Sequence, residues 1–374
     1  ITTVDATGQY AVAWGDSNLA SGYASTAWGA NTNSTGVTST SMGRTTIAGG
    51  ASSLAHGRNT KAYGDYSHAE GFGTKASGTN SHAQNRAFMA SGTDSHAEGF
   101  ETLASGNQSH AEGSGTIASG NRSHAEGQST EATGATAHSE GSGTVAGGEA
   151  SHAEGNGSIA AGEASHSEGL LTVASGDYAH SEGSGTLAIG VSSHAEGTTT
   201  TASGQGAHSE GTLTFATANY CHAEGISTSA TTNYSHSEGI TTLASGESSH
   251  AEGDGTVSAG QASHAEGVDT ITNSNYSHSE GDGTETNGLG SHAEGLSTIT
   301  YGNYSHSEGS GTRAGIDSTI GIASHASGLG TIAYEDYQTV MGRYNTTGNT
   351  NQYLIVGRGT SAAARANAFR VDSA

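Results

Sequence analysis

The sequence predicts an all-β chain, a parallel β-roll solenoid wound in coils of 14 residues, and three observations predict it. Histidine recurs every 14 residues from His68 to His306, eighteen times without a slip, mostly as S-H-A-E-G or S-H-S-E-G. Two glycine columns run seven residues out of phase, one through Gly15, Gly29, Gly43, Gly57 and Gly71, the other through Gly22, Gly36, Gly50, Gly64 and Gly78. Sixty glycines, no proline and 32% hydrophobic residues in 374 leave too few large apolar side chains for the thick core of a globular domain.

The glycines divide each coil into two half-coils. Seven residues allow about five for a strand and two for a tight turn, where glycine supplies the unusual φ. A helix is excluded by propensity, since two glycines per 14 residues would each cost about 1 kcal/mol. Alternation along S-H-A-E-G sets Ser, Ala and Gly on one face and His with Glu on the other. Only the small face can point inward, because burying the ionisable one costs several kcal/mol per unpaired charge. The second half-coil, T-x-A-S-G, likewise turns Thr, Ala and Gly inward. The glycine column starts the array near Tyr10, giving about 24 coils and a length of about 115 Å at the usual strand spacing. Four segments are expected: N-terminal coils over 1–65, regular His/Glu coils over 66–309, irregular last coils over 310–345, and a C-terminal cap or neck over 346–374. The 19 residues between His306 and His325 break the period, and His56 and His325 fall outside the histidine register.

A roll this thin buries little, so the chain is expected to associate with copies of itself. The x column of T-x-A-S-G is apolar in 12 of 18 coils, including Leu103, Ile117, Val145 and Leu243, which fits partial burial between subunits. Lys75, Glu131, Glu285 and Arg313 interrupt it and must reach water or a partner's charge. A net charge of −24 disfavours nucleic acid and anionic lipid as partners. No apolar run is long enough for membrane insertion, and no secretion signal is recognisable, so export would come from sequence outside this stretch or from host lysis. The lone Cys221 stands where most coils have Ser and reads as a small core filler.

The half-coil Val12-Ala13-Trp14-Gly15 and its successors Ala27-Trp28-Gly29 and Ser41-Met42-Gly43 resemble the S-V-A-I-G repeat in the head of YadA-like trimeric adhesins. The likeness covers roughly residues 8–345. It implies a left-handed parallel β-roll, a parallel homotrimer and an extracellular, non-enzymatic fibre. The central coils depart from that family by carrying His and Glu where it has Val and Ile. Residues 353–372 look like the segment that follows such repeats in phage tail-fibre proteins, where a self-cleaving trimerisation chaperone comes next. Asp372 and Ser373 are therefore a candidate processing site. The reading is a tail fibre on a virion, with a bacterial surface adhesin as the alternative.

Stacked at about 4.8 Å, the coils would form two ladders on one face: His68 with Glu70, His96 with Glu98, His110 with Glu112, His124 with Glu126, and so on to His306 with Glu308. Only Gln84 lacks the acid. Imidazoles beside carboxylates are expected to donate hydrogen bonds, to be pushed toward protonation, and to make the fold most stable in mildly acidic solution. At the Glu position the end coils carry Trp14, Trp28, Met42 and Met341, which read as apolar caps of an inter-subunit face whose polar middle fixes register. His-x-Glu repeated around a threefold axis could instead hold Zn, Ni or Fe, but a structural ladder needs only the repeat, so no metal and no cofactor are assigned. Identical copies in every coil cannot each be a unique catalytic cleft, so no catalytic residue is assigned. The Thr column from Thr102 to Thr312 has an ice-binding look, but its parity turns it inward. Calcium rolls need an Asp-bearing nine-residue repeat, which is missing. Tyr66, Tyr178, Tyr234, Tyr276 and Tyr304 lie in turns and are candidate contacts for a cell-surface glycan or protein receptor, or they merely cover those turns.

Overall fold

The computed structural model describes residues 4–86, 88–348 and 351–372. Its contacts divide into two compact units, Ile1–Gly185 and Thr186–Ala374. The first holds thirteen five-residue strands, each following a two-residue strand; the second holds eleven pairs of the same kind before a C-terminal hairpin. No helix occurs among the described residues. Within each unit the strands of successive coils pair in parallel, mostly with their equivalents 14 residues on, as His96–Phe100 does with His110–Ser114 in the first unit and His250–Asp254 with His264–Val268 in the second. This is the parallel solenoid of 14-residue coils that the period predicts.

The two half-coils are not equal. S-H-A-E-G yields a five-residue strand, whereas T-x-A-S-G yields only two strand residues, such as Leu103–Ala104, before the chain turns. Two backbone features explain the difference. The chain takes left-handed φ both just after the long strand, as at Glu101 (φ 57°), and in the turn after the short one, as at Gln108 (φ 57°). Those two reversals leave no room for a longer second strand.

Inside, the Ala columns are wholly buried, Ala97 and Ala104 among them, and so are the Ser and Thr columns, with Ser109 and Thr116 at 2% exposure or less. Ser109 Oγ donates to the Gly106 carbonyl at 2.7 Å, closing the turn. Cys221 fits the same slot, its thiol donating to Ala218 O at 2.8 Å, and burial pushes its pKa up. The interior has no space to spare. A Cβ on Gly99, which adopts φ 110°, would lie 2.1 Å from the Gly113 carbonyl oxygen of the next coil; one on Gly106 would lie 1.9 Å from Gly120 O. Coil-to-coil approach therefore favours glycine in both columns, and left-handed φ adds to it in the first, with Asn85, Ala218 and Ser274 among the exceptions.

In the second unit the period breaks where five extra residues leave the coil as a small loop. Asp317 Oδ1 accepts from the amides of Thr319 and Ile320 and from the Thr319 hydroxyl. With that loop out of the way, His306 pairs with His325 in register. His325 thus belongs to the histidine column, contrary to the expectation from spacing. Beyond it, Gln352–Arg358 pairs in parallel with Thr339–Arg343 and antiparallel with Asn367–Asp372, over a small core of Val340, Ile355 and the last Ala residues.

Candidate functional site: the histidine and glutamate ladders

Alternation along the five-residue strand puts His and Glu outward, two residues apart, at every coil. The imidazoles stack nearly parallel. In the first unit the rings from His68 to His180 have centroids 4.7–4.9 Å apart, and in the second those from His194 to His325 are spaced 4.6–5.0 Å. Carboxylates run alongside, with Glu98, Glu112 and Glu126 in register on successive coils. His68 with Glu70, His96 with Glu98, His110 with Glu112 and His124 with Glu126 are all brought together, Nε2 to oxygen, at 3.6–3.7 Å. At the far end Glu308 lies 3.5 Å from His325. Gln84, which replaces the acid in the His82 coil as Ser327 does in the His325 coil, donates its side-chain amide to Glu98.

Two expectations about this ladder are corrected. Separations of 3.6–3.7 Å are too long for N–H···O hydrogen bonds, and the Nε2 atoms of His82, His96, His110 and His124 are buried without a hydrogen-bond partner. Nor are the imidazoles whose titration shifts pushed toward protonation. Burial first, then the neighbouring imidazoles, hold His82, His96, His152, His250 and His278 below the ordinary histidine pKa, outweighing the glutamates. Considering each His with its own Glu omits the two rings stacked above and below it. The carboxylates also interact with one another: hydrogen bonds with Glu140 and Glu112 raise Glu126 to about 7, and those with Glu168 and Glu140 raise Glu154 to about 7, while Glu140 and Glu168 are lowered.

The register of the glutamate column continues into the end coils. Trp14 pairs with Trp28, Trp28 with Met42, Met42 with His56 and His56 with Glu70. His56 therefore occupies the Glu column rather than the His column. Trp14 and Trp28 are 73% and 61% exposed with rings 6.4 Å apart, and Met341 is 41% exposed. Among the x-column residues Leu103 and Ile117 are half-buried and Ile159 and Phe215 exposed. Tyr66, Tyr178, Tyr234, Tyr276 and Tyr304 are all exposed and all adopt left-handed φ of 57–61° in the turn. The residue before each is Asn or Asp for a reason not visible in the sequence. Asp65 Oδ1 accepts the Ala51 amide, Asp177 that of Glu163 and Asn275 that of Gln261, each 14 residues back. Tyr220, which the sequence reading passed over, stacks on Tyr234 at 5.6 Å. Asp372 pairs with Arg370 at 3.3 Å on the surface, and Ser373 lies outside the described residues.

A family profile for the YadA head domain repeat, two copies long, matches residues 6–32, 97–123 and 181–207. Those three stretches match YadA head repeats. The matched segments include both the Trp14 and Trp28 coils and coils with His and Glu, so the substitution of an apolar pair by a polar one happens within one repeat type. No curated protein matches the chain significantly. YadA-like adhesin domains are extracellular or surface-exposed.

Proposed function

We propose that the protein is a non-enzymatic adhesive fibre whose chains associate as a parallel homotrimer through the face bearing the His and Glu ladders. One observation carries this reading: the Glu column of the first unit leads into exposed Trp14 and Trp28, and that of the second unit into exposed Met341. Apolar surface of that size in register with a charged ladder favours a partner with the same arrangement. The YadA head repeats support the trimer. In the assembled fibre the apolar layers close the ends and the polar layers fix register, since a shift by one coil would set Trp or Met against a charged layer. The segments 1–65, 66–309, 310–345 and 346–374 serve as capped first coils, shaft, irregular last coils and neck.

The finer reading is a phage tail fibre, supported by the sequence of residues 353–372, with processing between Asp372 and Ser373; a bacterial surface adhesin is the alternative. The exposed turn tyrosines Tyr66, Tyr178, Tyr234, Tyr276 and Tyr304 are the contacts for a cell-surface glycan or protein. Native mass spectrometry of the full chain is expected to give the trimer mass, and the double variant Trp14→Glu, Trp28→Glu to shift the population toward monomer. A parent protein that stays monomeric at micromolar concentration overturns the reading. Electron micrographs of particles carrying the protein separate a phage tail from a cell surface.

A further inference from the structure

The ladder leaves a chemical problem that its structural role does not solve. In the second unit the Nε2 atoms of His222, His236, His250 and His264 are buried and have no hydrogen-bond partner. Each nonetheless has a carboxylate oxygen close by: 3.4 Å for His222 with Glu224, 3.7 Å for His236 with Glu238, and 3.5 Å for His250 with Glu252 and for His264 with Glu266. A ring nitrogen shielded from water and left unpaired calls for an explanation, and an ion is one of the few available. These separations are long for a hydrogen bond. They suit two ligands of one ion, because donors about 2.1 Å from a zinc ion stand about 3.4 Å apart at a tetrahedral angle.

The next coil supplies the third ligand. Glu238 offers one oxygen to His236 and the other to His250 at 3.8 Å, and Glu252 lies between His250 and His264 at 3.5 and 3.9 Å. The ligand atoms of His236, Glu238 and His250 all fall within 4.8 Å of one another, and a small tilt of the two stacked rings toward each other brings both nitrogens within the roughly 4.2 Å that two donors of one ion can span. We infer that the ladder binds late first-row divalent cations such as Zn²⁺, each held by imidazoles of two successive coils and the glutamate between them, with water completing the shell. The donor set of two neutral imidazoles and one carboxylate suits these ions and not Mg²⁺ or Ca²⁺, which prefer oxygen alone. All three ligands come from one chain, so the site does not depend on the trimer. Two imidazoles per ion limit loading to alternate coils. Repulsion between divalent ions one coil apart, with only one carboxylate per coil to offset it, has the same effect.

The test uses the full chain, stripped with EDTA and dialysed into chelator-free buffer. Titration with Zn²⁺ by calorimetry is expected to saturate near one ion per two ladder coils and to raise the melting temperature, as a ligand of the folded state must. Co²⁺ in place of Zn²⁺ is expected to give the intense visible bands of four-coordinate cobalt. Glu238→Gln with Glu252→Gln keeps every histidine and is expected to lower the number of ions bound at saturation. Uptake of less than one ion per chain overturns the proposal. So does equal affinity in the urea-unfolded chain, where successive coils no longer face one another. Unchanged stoichiometry in the glutamine variant, with its fold verified by circular dichroism, removes glutamate from the ligand set and overturns the proposed site.

Discussion

Coils in residues 12–58 and coils in residues 68–184 share one backbone and one interior yet carry opposite outer faces. Inside, both present Ala, Ser and Thr, all buried. Outside, the first set has Val12, Thr26, Thr40 and Leu54 where the second has histidine, and Trp14, Trp28, Met42 and His56 where the second has glutamate. Pairing passes from one set to the other without a shift, Leu54 to His68 and His56 to Glu70. The coil is thus specified by what points inward and by glycine at the two close approaches. The outer face is free to differ, so the repetition of His and Glu over so many coils has its cause outside the coil backbone, in what that face meets.

The largest effect that could break this division is at a glycine. Gly99→Ala puts a methyl group 2.1 Å from the Gly113 carbonyl oxygen at a φ of 110°. It is expected to cost about 3 kcal/mol, from backbone strain and a forced shift of the next coil. His96→Thr, which installs the residue found at Thr26 and Thr40 on a half-buried outer face, is expected to cost about 1 kcal/mol or less. Urea melts of the two variants decide it: equal losses would mean that the outer column also specifies the coil.

How far the sequence reveals this depends on whether a feature repeats and whether it is pairwise. The inward columns and the glycines were legible because parity and period determine them together. The short second strand was not, because the left-handed turn positions are filled by residues such as Arg122, Thr136 and Tyr178 (φ 57–59°), which give no glycine signal. Each pays about 1–2 kcal/mol of local strain that the stacked coils impose. His325 was misplaced because an insertion shifts the count without shifting the column. The sign of the histidine shifts was missed because His-x-Glu is a neighbour along the strand, whereas the stacked imidazoles are neighbours 14 residues apart.

That sign gives the next prediction, measured with chelator present. Ten ladder imidazoles, among them His68, His82, His96, His222 and His306, have depressed pKa values when folded, chiefly from burial and then from adjacent rings. The unfolded chain then binds more protons between the folded values and about 6.5, so their contribution is present above that range and lost as pH falls through it. Glu126 and Glu154, raised to about 7, and Glu238, Glu266 and Glu294, raised first by burial, act in the opposite direction and favour the folded state as pH falls. The lowered imidazoles outnumber the raised carboxyls, so the melting temperature is expected to be lower at pH 5 than at pH 8. Glu126→Gln with Glu154→Gln removes the two largest opposing contributions and is expected to widen that gap. A parent protein more stable at pH 5 would restore the imidazolium–carboxylate pairing that the sequence suggested.

The smallest effect lies within the interior that all coils share. Where the coil reads S-H-S-E-G, the inward serine meets the inward threonine, as Ser139 meets Thr144 at 2.8 Å and Ser237 meets Thr242 at 2.7 Å. Where it reads S-H-A-E-G, the threonine hydroxyl is left alone, as at Thr116 and Thr256. The two forms are interchangeable in volume but not in hydrogen bonding. Ala111→Ser is therefore expected to place a hydroxyl against Thr116 and to stabilise the first unit by about 0.5–1 kcal/mol, the net worth of one buried hydrogen bond. A loss of stability instead would mean that burying the added hydroxyl costs more than the bond returns, and that the alternation of Ala and Ser along the chain answers to packing alone.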